Sequence, residues 1–486
     1  MQFQKTSAVA GNSSSRLALI IGLGASGLAS AEHLARRGWR IRAADTREAP
    51  AGAARLIALL PTADIHTGGL PVTLLEGADL VVMSPGLSTE YGAAAPLVAE
   101  ARRRGTEVIG EIELFARALA ALEAEEGYRP VVIGVTGTNG KTTTTTLVTR
   151  MAAAGGLCAT AAGNIGPNAV TELDNARDAG QLPDVWVLEL SSFQLATTSS
   201  LVCRSAALLN VTEDHLDWHG SMAAYAEAKA RIFKPGTVRV VNREDETTLK
   251  LAGGADDVRT FGSSSPAKAG EYGLVKGEDG LMWLAEKPAD GSDEVLLCPE
   301  ASLLIAGRHN AMNALAALAL IEGAGLPLAP ALEALAVYRG EPHRVERVLE
   351  HDGVTFVDDS KGTNVGAVAA AVKGFAAQGR RLLIILGGDG KGQDFSPLAD
   401  ALRTSAGAAA LIGRDAPKIA DVLSGADYPV KTLPTLEEAV EWLWSQRRPG
   451  DVLLLSPACA SWDMFRDYAE RSARFIAAAR RIADGD

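Results

Sequence analysis

The sequence predicts three α/β domains, because one local layout occurs three times: an unbroken apolar run, read as a buried strand, followed at once by a glycine-rich turn. The three segments are LALIIGLGASG at 17–27, VVIGVTGTNGKTTTT at 131–145 and RLLIILGGDGKG at 381–392. A continuous Val/Ile/Leu stretch marks a parallel strand covered on both faces. Glycines at its carboxyl end let the chain turn tightly into a helix whose amino end can receive an anion. The length of 486 residues agrees, since roughly 150 residues per domain gives about three domains. Apolar residues at 47% and charged residues at 22% can fill packed cores, which excludes a disordered chain.

The first turn, Gly22-Leu23-Gly24-Ala25-Ser26-Gly27, matches GxGxxG, and Asp45 closes the next apolar run 23 residues after Gly22. That is the dinucleotide fingerprint in the right context. The same turn serves a redox dinucleotide or another nucleotide equally well, or simply packs helix on sheet. A helix opens with Gly110-Glu111-Ile112-Glu113-Leu114-Phe115, so the first domain is taken as 1–109.

The second turn, Gly137-Thr138-Asn139-Gly140-Lys141-Thr142-Thr143, follows the strand VVIGV. In such a loop the backbone N–H groups point at phosphates, the lysine reaches the β/γ oxygens and the next hydroxyl holds magnesium. Val135 stands where GxxxxGK[ST] would have its first glycine, so the spacing is GxxGxxGK instead. A polar helix start could carry Gly-Lys-Thr by chance; the preceding strand and the register favour phosphate binding. Glu189 ends VWVLEL and either holds magnesium or simply closes a solvated strand end. His215, within Asn210-Val211-Thr212-Glu213-Asp214-His215-Leu216-Asp217, is either a ligand or orienter or an ordinary structural histidine. Lys229, in AAYAEAKARIF, reads by itself as a solvated helix lysine. Short strands punctuated by Gly, Asp and Ser between about 235 and 300 form a small β-rich excursion. Arg339-Gly340-Glu341-Pro342 breaks the helical pattern of 311–337, which closes a middle domain of 110–340 and starts a third of 341–486.

In that last part Pro342-His343-Arg344, Asp358-Asp359-Ser360-Lys361-Gly362-Thr363-Asn364, Gly387-Gly388-Asp389-Gly390-Lys391 and Ser456-Pro457-Ala458-Cys459-Ala460-Ser461 all end strands or form loops. Strand ends are where an open α/β sheet binds ligands, and converging cations and hydroxyls suit a small anion. The net charge of −12 leaves no overall basic field for nucleic acid or an anionic membrane. Four scattered cysteines without a CxxC pair argue against a zinc site and a disulfide framework, and for a reducing compartment. Leu17 to Leu23 is far shorter than the ~20 residues a bilayer needs. Residues 1–15 lack a signal peptide's pattern and are expected to be a frayed polar terminus of a cytoplasmic protein. With no GxSxG elbow, HExxH helix or low-pKa cysteine context, no covalent enzyme intermediate is expected.

Taken together, TGTNGKTTTT, LELSSFQL, NVTEDHLDWHG, GRHNAMNALAAL, PHR, DDSKGTNVGA, LGGDGKGQDF and LLSPACASWDMF span the chain from 17 to about 470 in a fixed order. With that set and order the chain resembles the muramyl ligases, most closely those that add D-glutamate to UDP-N-acetylmuramoyl-L-alanine. The resemblance implies a Rossmann-like N-terminal domain for the UDP substrate, a central P-loop domain for ATP, and a Rossmann-like C-terminal domain for the amino acid. It implies Gly24, Ala25, Ser26, Asp45, Thr46, Gly86 and Asn164 at the UDP substrate. ATP would meet Gly137, Thr138, Asn139, Gly140, Lys141, Thr142, Thr143, Asn313, Arg344 and Asp359. Thr142 and Glu189 would hold one magnesium ion, and His215 with a carbamylated Lys229 would serve a second. Lys361, Thr363, Lys391, Ser461 and Tyr468 would surround D-glutamate. The implied protein is a monomer acting on small molecules in peptidoglycan precursor synthesis. Gly362, Trp462 and Tyr468 depart from the residues familiar at those positions. Among competing readings, a folate-polyglutamating ligase lacks a first domain with its own nucleotide turn. A regulator without chemistry would not need Glu189, His215 and Lys229 together, and a dehydrogenase would bind NADH tightly.

Overall fold

Each apolar run predicted as a strand is one, and each is buried along its length, as expected where helices cover both faces of a parallel sheet. The computed structural model describes residues 16–254, 257–288, 290–305, 307–376 and 378–485. The reading of residues 1–15 lies outside the described residues. The described residues fall into two compact units, one within 16–128, 166–182 and 193–201 and one within 129–165, 183–192 and 202–485.

The first unit holds a parallel five-stranded sheet of β1 (Leu17–Ile21), β2 (Arg40–Asp45), β3 (Asp64–Thr67), β4 (Leu80–Met83) and β5 (Glu107–Gly110) in the order β3-β2-β1-β4-β5. The order reverses between β1 and β4, which opens a crevice at the strands' carboxyl ends. The helix Ala169–Asp178 packs in this unit on helices Ala25–Arg36 and Glu111–Glu126. Buried Asp174 accepts from His33 Nδ1 (2.9 Å) and Arg37 Nη2 (3.0 Å), and Glu111 Oε1 accepts the Val170 N–H at 2.8 Å. Burial raises the Glu111 carboxyl to about 7.

The second unit contains two sheets. The first comprises β6 (Val131–Thr136), β7 (Ala159–Gly163), β8 (Val185–Glu189), β9 (Ser205–Leu208), β10 (Val238–Asn242), β11 (Val258–Phe261), β12 (Glu271–Lys276), β13 (Met282–Lys287) and β14 (Val295–Pro299). Its order is β14-β13-β12-β11-β10-β9-β6-β8-β7, with only the β12-β13-β14 end antiparallel. That end is the excursion expected between 235 and 300. Helices Arg308–Gly323 and Leu328–Val337 replace the single helical stretch read over 311–337, because Gly325 in the left-handed region and Pro327 stop the first of them. The last sheet comprises β15 (Glu346–His351), β16 (Val354–Asp358), β17 (Leu382–Gly387), β18 (Ala406–Ile412), β19 (Val430–Thr432) and β20 (Val452–Leu455). Its order is β15-β16-β20-β17-β18-β19, with β15 antiparallel to the rest.

The third glycine turn departs from the layout expected of it. After β17 no helix begins until Pro397; the chain instead runs alongside the loop after β20, where Asp389 and Ala460 exchange backbone hydrogen bonds of 3.0 and 2.8 Å. Gly388 permits that approach, since a Cβ there would lie 2.3 Å from the Ala460 carbonyl oxygen. Its φ of +132° is also open to few other residues. Cys203 and Cys459 are buried, Cys298 is half-buried and Cys158 is exposed. No helix among the described residues is long and apolar enough to cross a membrane.

Candidate active site

The phosphate loop leaves β6 at Thr136 and enters the helix Lys141–Ala154. Gly140 sits at φ +82°, and a Cβ there would lie 2.4 Å from Asn313 Oδ1, so the sharp entry and the neighbouring asparagine both require glycine. Asn139 is fixed from two sides: its N–H donates to Asn210 Oδ1 (2.8 Å) and its Oδ1 accepts from Asn364 Nδ2 (3.2 Å). Thr138 Oγ1 lies 3.0 Å from the Tyr225 hydroxyl.

Two lysines converge on one carbonyl. Lys141 Nζ donates to the Gly137 oxygen at 2.9 Å and to the Thr138 oxygen at 2.9 Å, and Lys229 Nζ donates to the Gly137 oxygen at 2.8 Å. Lys229 is only 2% exposed and lies 4.6 Å from the Tyr225 ring centroid. Burial first, and the Lys141 charge second, hold its ammonium well below the ordinary lysine range. Burial also lowers Lys141, opposed by Glu189 and reinforced by Arg344. A solvated helix lysine is therefore not what residue 229 is: it is an interior amine beside the loop.

Pairing of β8 with β6 sets Glu189 opposite Val135, two residues before the loop. Its Oε1 accepts from Asn164 Nδ2 at 2.7 Å, while its buried Oε2 has no hydrogen-bond partner among the described residues. An unsatisfied, buried carboxylate oxygen beside a phosphate loop suits a hard divalent cation, whose ligands are oxygens. His215 is pushed down to about 4, by burial first and then by Lys391, Lys141 and Lys229 against the opposing Asp214. Asp214 lies 3.5 Å from His215 Nε2 and 3.4 Å from Lys391 Nζ.

A cavity of about 890 Å³ is walled by Asn139, Gly140, Thr143, Asn313, Arg344, Asp359 and Lys361. Arg344 Nη2 donates to Thr142 Oγ1 at 2.6 Å, and its buried Nε has no partner among the described residues. Asp359 accepts from Ser456 Oγ at 2.6 Å and is raised by burial to about 7. Lys361 alone of the five residues expected around an amino acid also walls this cavity. Its Nζ lies 4.8 Å from the Tyr468 ring centroid, and the Thr363 N–H donates to its carbonyl at 3.0 Å. Lys391 reaches Asp214, and Ser461 is buried beside the Asp389–Ala460 bridge. In the first unit, Gly24, Ala25, Ser26, Asp45, Thr46 and Gly86 wall one crevice of about 360 Å³ at the β1/β4 switch. Arg47 grips Asp45 there through Nε (2.8 Å) and Nη2 (2.7 Å), which lowers that carboxyl to about 2. Asn164 belongs instead to the second unit, beside Glu189.

Asn210 and Ser456 stood in quoted motifs without a role of their own and Tyr225 in the Lys229 helix; that they hold Asn139, Asp359 and Thr138 was not legible. Asp214 was visible in the sequence as one acid among several; its place between His215 and Lys391 was not. Buried basic groups at a glycine-rich loop beside a carboxylate with one free oxygen suit an enzyme that works on phosphoanhydrides.

Comparison with known proteins agrees along the whole chain. The Mur ligase MurD-like N-terminal domain matches residues 16–110, the Mur ligase middle domain 135–321, and the Mur ligase glutamate ligase domain 343–459. The chain is 48% identical to the UDP-N-acetylmuramoylalanine--D-glutamate ligase of Ralstonia nicotianae, over 97% of this chain and 98% of that protein. It is 49% identical to the ligase of the same name from Burkholderia mallei, over 96% and 97%. The crystal structure of MurF ligase from Thermotoga maritima in complex with ADP shares the fold, with a TM-score of 0.62 at 16% identity over 97% of this chain and 98% of that one. The chain belongs to the Mur ligase family, whose members form amide bonds at the expense of ATP. Membership decides between ligase and dehydrogenase, the choice the GxGxxG turn leaves open.

Proposed function

We propose that the protein joins D-glutamate to UDP-N-acetylmuramoyl-L-alanine with hydrolysis of ATP to ADP, in the cytoplasm, as a monomer, in the synthesis of peptidoglycan precursors. The observation that carries the chemistry is the gathering of Lys141, Arg344 and the interior amine of Lys229 at one phosphate loop beside the free oxygen of Glu189. The relatives at 48% and 49% identity support the choice of substrates.

A carboxylate is a poor electrophile, and bringing one up to a triphosphate opposes like charges. The L-alanine carboxylate attacks the γ-phosphorus, ADP departs, and an acyl phosphate forms. The D-glutamate amine then attacks the acyl carbon and expels phosphate with loss of a proton. Fixed cations aimed at the transferred group lower the barrier to the first step. In this reading Lys141 and Arg344 contact the phosphates, with Gly137 to Thr143, Asn313 and Asp359 completing the ATP site. The crevice of Gly24, Ala25, Ser26, Asp45, Thr46 and Gly86 takes the uridine diphosphate, and Asn164 the remainder of that substrate. Lys361, Thr363, Lys391, Ser461 and Tyr468 surround D-glutamate. The division of labour follows residues 1–109, 110–340 and 341–486.

Thr142 and Glu189 hold one magnesium ion, and His215 and Lys229 serve a second, the ions offsetting phosphate charge. Lys229 suits this role as a carbamate: its interior, low-pKa amine adds carbon dioxide with release of a proton, turning a repelling cation into an oxygen ligand. Phosphate release measured with ATP, the nucleotide substrate and a panel of D-glutamate, L-glutamate and diaminopimelate tests the whole. Release should require D-glutamate; equal rates with both enantiomers, or preference for the diamino acid, would overturn the reading.

A further inference from the structure

Arg344 stands in an unusual backbone setting. The residues on either side of it, His343 (φ +65°) and Val345 (φ +50°), both occupy the left-handed region. That conformation costs a non-glycine residue on the order of 1–2 kcal/mol, and a β-branched valine is a marked outlier there. Such strain persists only where the surroundings over-determine it, so whatever pins residues 343 and 345 also aims the guanidinium between them.

Val345 is held by its N–H, which donates to the Asp359 carboxylate. His343 is held at three points: its N–H donates to Glu346 Oε2 (2.9 Å), its carbonyl accepts the Lys361 N–H (3.1 Å), and its Nδ1 lies 2.8 Å from Asp358 Oδ2. The last contact is closed by a residue far along the chain. Ser472, fully buried in the helix Tyr468–Asp484, donates its hydroxyl to the same Asp358 Oδ2 at 2.5 Å and lies 2.8 Å from His343 Nδ1. Its neighbour Arg471 clamps the following turn through the Ser360 oxygens, at 3.0 and 2.7 Å. Asp358 is itself 0% exposed, so a carboxylate in that place demands such donors.

We propose that Ser472 is a positioning residue that acts through Asp358 and His343 to fix the Arg344 guanidinium at the phosphate loop. It touches no substrate. Its hydroxyl completes the triangle that holds the histidine ring, and the ring holds the left-handed backbone from which Arg344 reaches Thr142. Without it, Arg344 keeps its charge but loses its aim, and misplacement of a catalytic group by about 1 Å is worth on the order of a hundredfold in rate.

The proposal rests on the ATP role given to Arg344 above, and two arms separate the failures. In the full-length enzyme, Ser472→Ala should lower kcat/KM for ATP by about 10- to 100-fold and, through loss of a buried donor, the thermal midpoint by a few degrees, leaving KM for the nucleotide substrate nearly unchanged. Ser472→Thr should retain most of the activity. The double variant Ser472→Ala/His343→Gln should be no worse than His343→Gln alone. Unaltered ATP parameters, multiplied losses in the double variant, or equal losses for all three substrates would each overturn it. If Ser472→Ala does not fold, Ser472→Cys, which keeps a weak donor of similar shape, carries the same readouts. Arg344→Ala run in parallel locates the fault. Normal ATP kinetics there remove the ATP role itself, whereas a damaged Arg344→Ala beside a normal Ser472→Ala removes only the positioning role.

Discussion

A single backbone oxygen, that of Gly137, accepts both Lys141 and Lys229. Among the described residues neither nitrogen has a carboxylate partner in hydrogen-bond contact, so neither is tied up in an ion pair that supports the fold. Lys141→Ala should therefore leave the thermal midpoint almost unchanged while lowering turnover by at least about a thousandfold, the scale of a charge that stabilises a phosphoryl transition state. Near-normal turnover would remove the phosphate-loop reading. Lys229→Ala should likewise lose most activity, but formate should restore part of it by entering the vacated anionic position. Failure of formate at any concentration, together with a bare amine at Lys229 in electron density obtained with bicarbonate, would remove the carbamate.

The helix Ala169–Asp178 carries a titration of its own, because its first N–H groups are capped by the interior carboxyl of Glu111. A carboxyl whose folded pKa lies above its unfolded value binds its proton more tightly when folded. It therefore favours the folded state below about 4.5 and loses that advantage as pH rises to about 7. The loss amounts to about 3 kcal/mol. Glu111→Gln keeps the acceptor and removes the charge, so its stability relative to the parent should be markedly greater at pH 8 than at pH 5. Parallel unfolding curves at the two pH values would refute this. A second element depends on one missing side chain: Gly388→Ala would drive a methyl into the Ala460 carbonyl. It should lower the thermal midpoint by several degrees through strain at both loops. An unchanged midpoint would show that the two loops can part freely.

At the scale of the whole molecule, the sequence disclosed whatever is written locally. Strands announced themselves as apolar runs, and the phosphate loop and the β1 turn as glycine spacings. What it withheld are pairings between distant positions: Arg344 on Thr142, Asn364 on Asn139 and Lys391 on Asp214, separated by 202, 225 and 177 residues. No local period encodes these, and the same holds for the segment 166–182, which lies between two strands of one unit in sequence yet folds with the other. The glycine turn after β17 misled for a related reason: its glycines answer to a loop some 70 residues away, not to a following helix.

The distribution of the four thiols has a practical consequence. Only thiolates react readily with electrophiles, and burial raises Cys203 and Cys459 to about 12 and Cys298 by a smaller step. Cys158 alone is exposed, just before β7. A brief maleimide treatment of the native enzyme should therefore attach one dye per chain, at Cys158, and four after denaturation. The wild-type protein thus comes with a single attachment point, at the end of the sheet opposite the phosphate loop, where a dye is carried without altering a residue or crowding the loop.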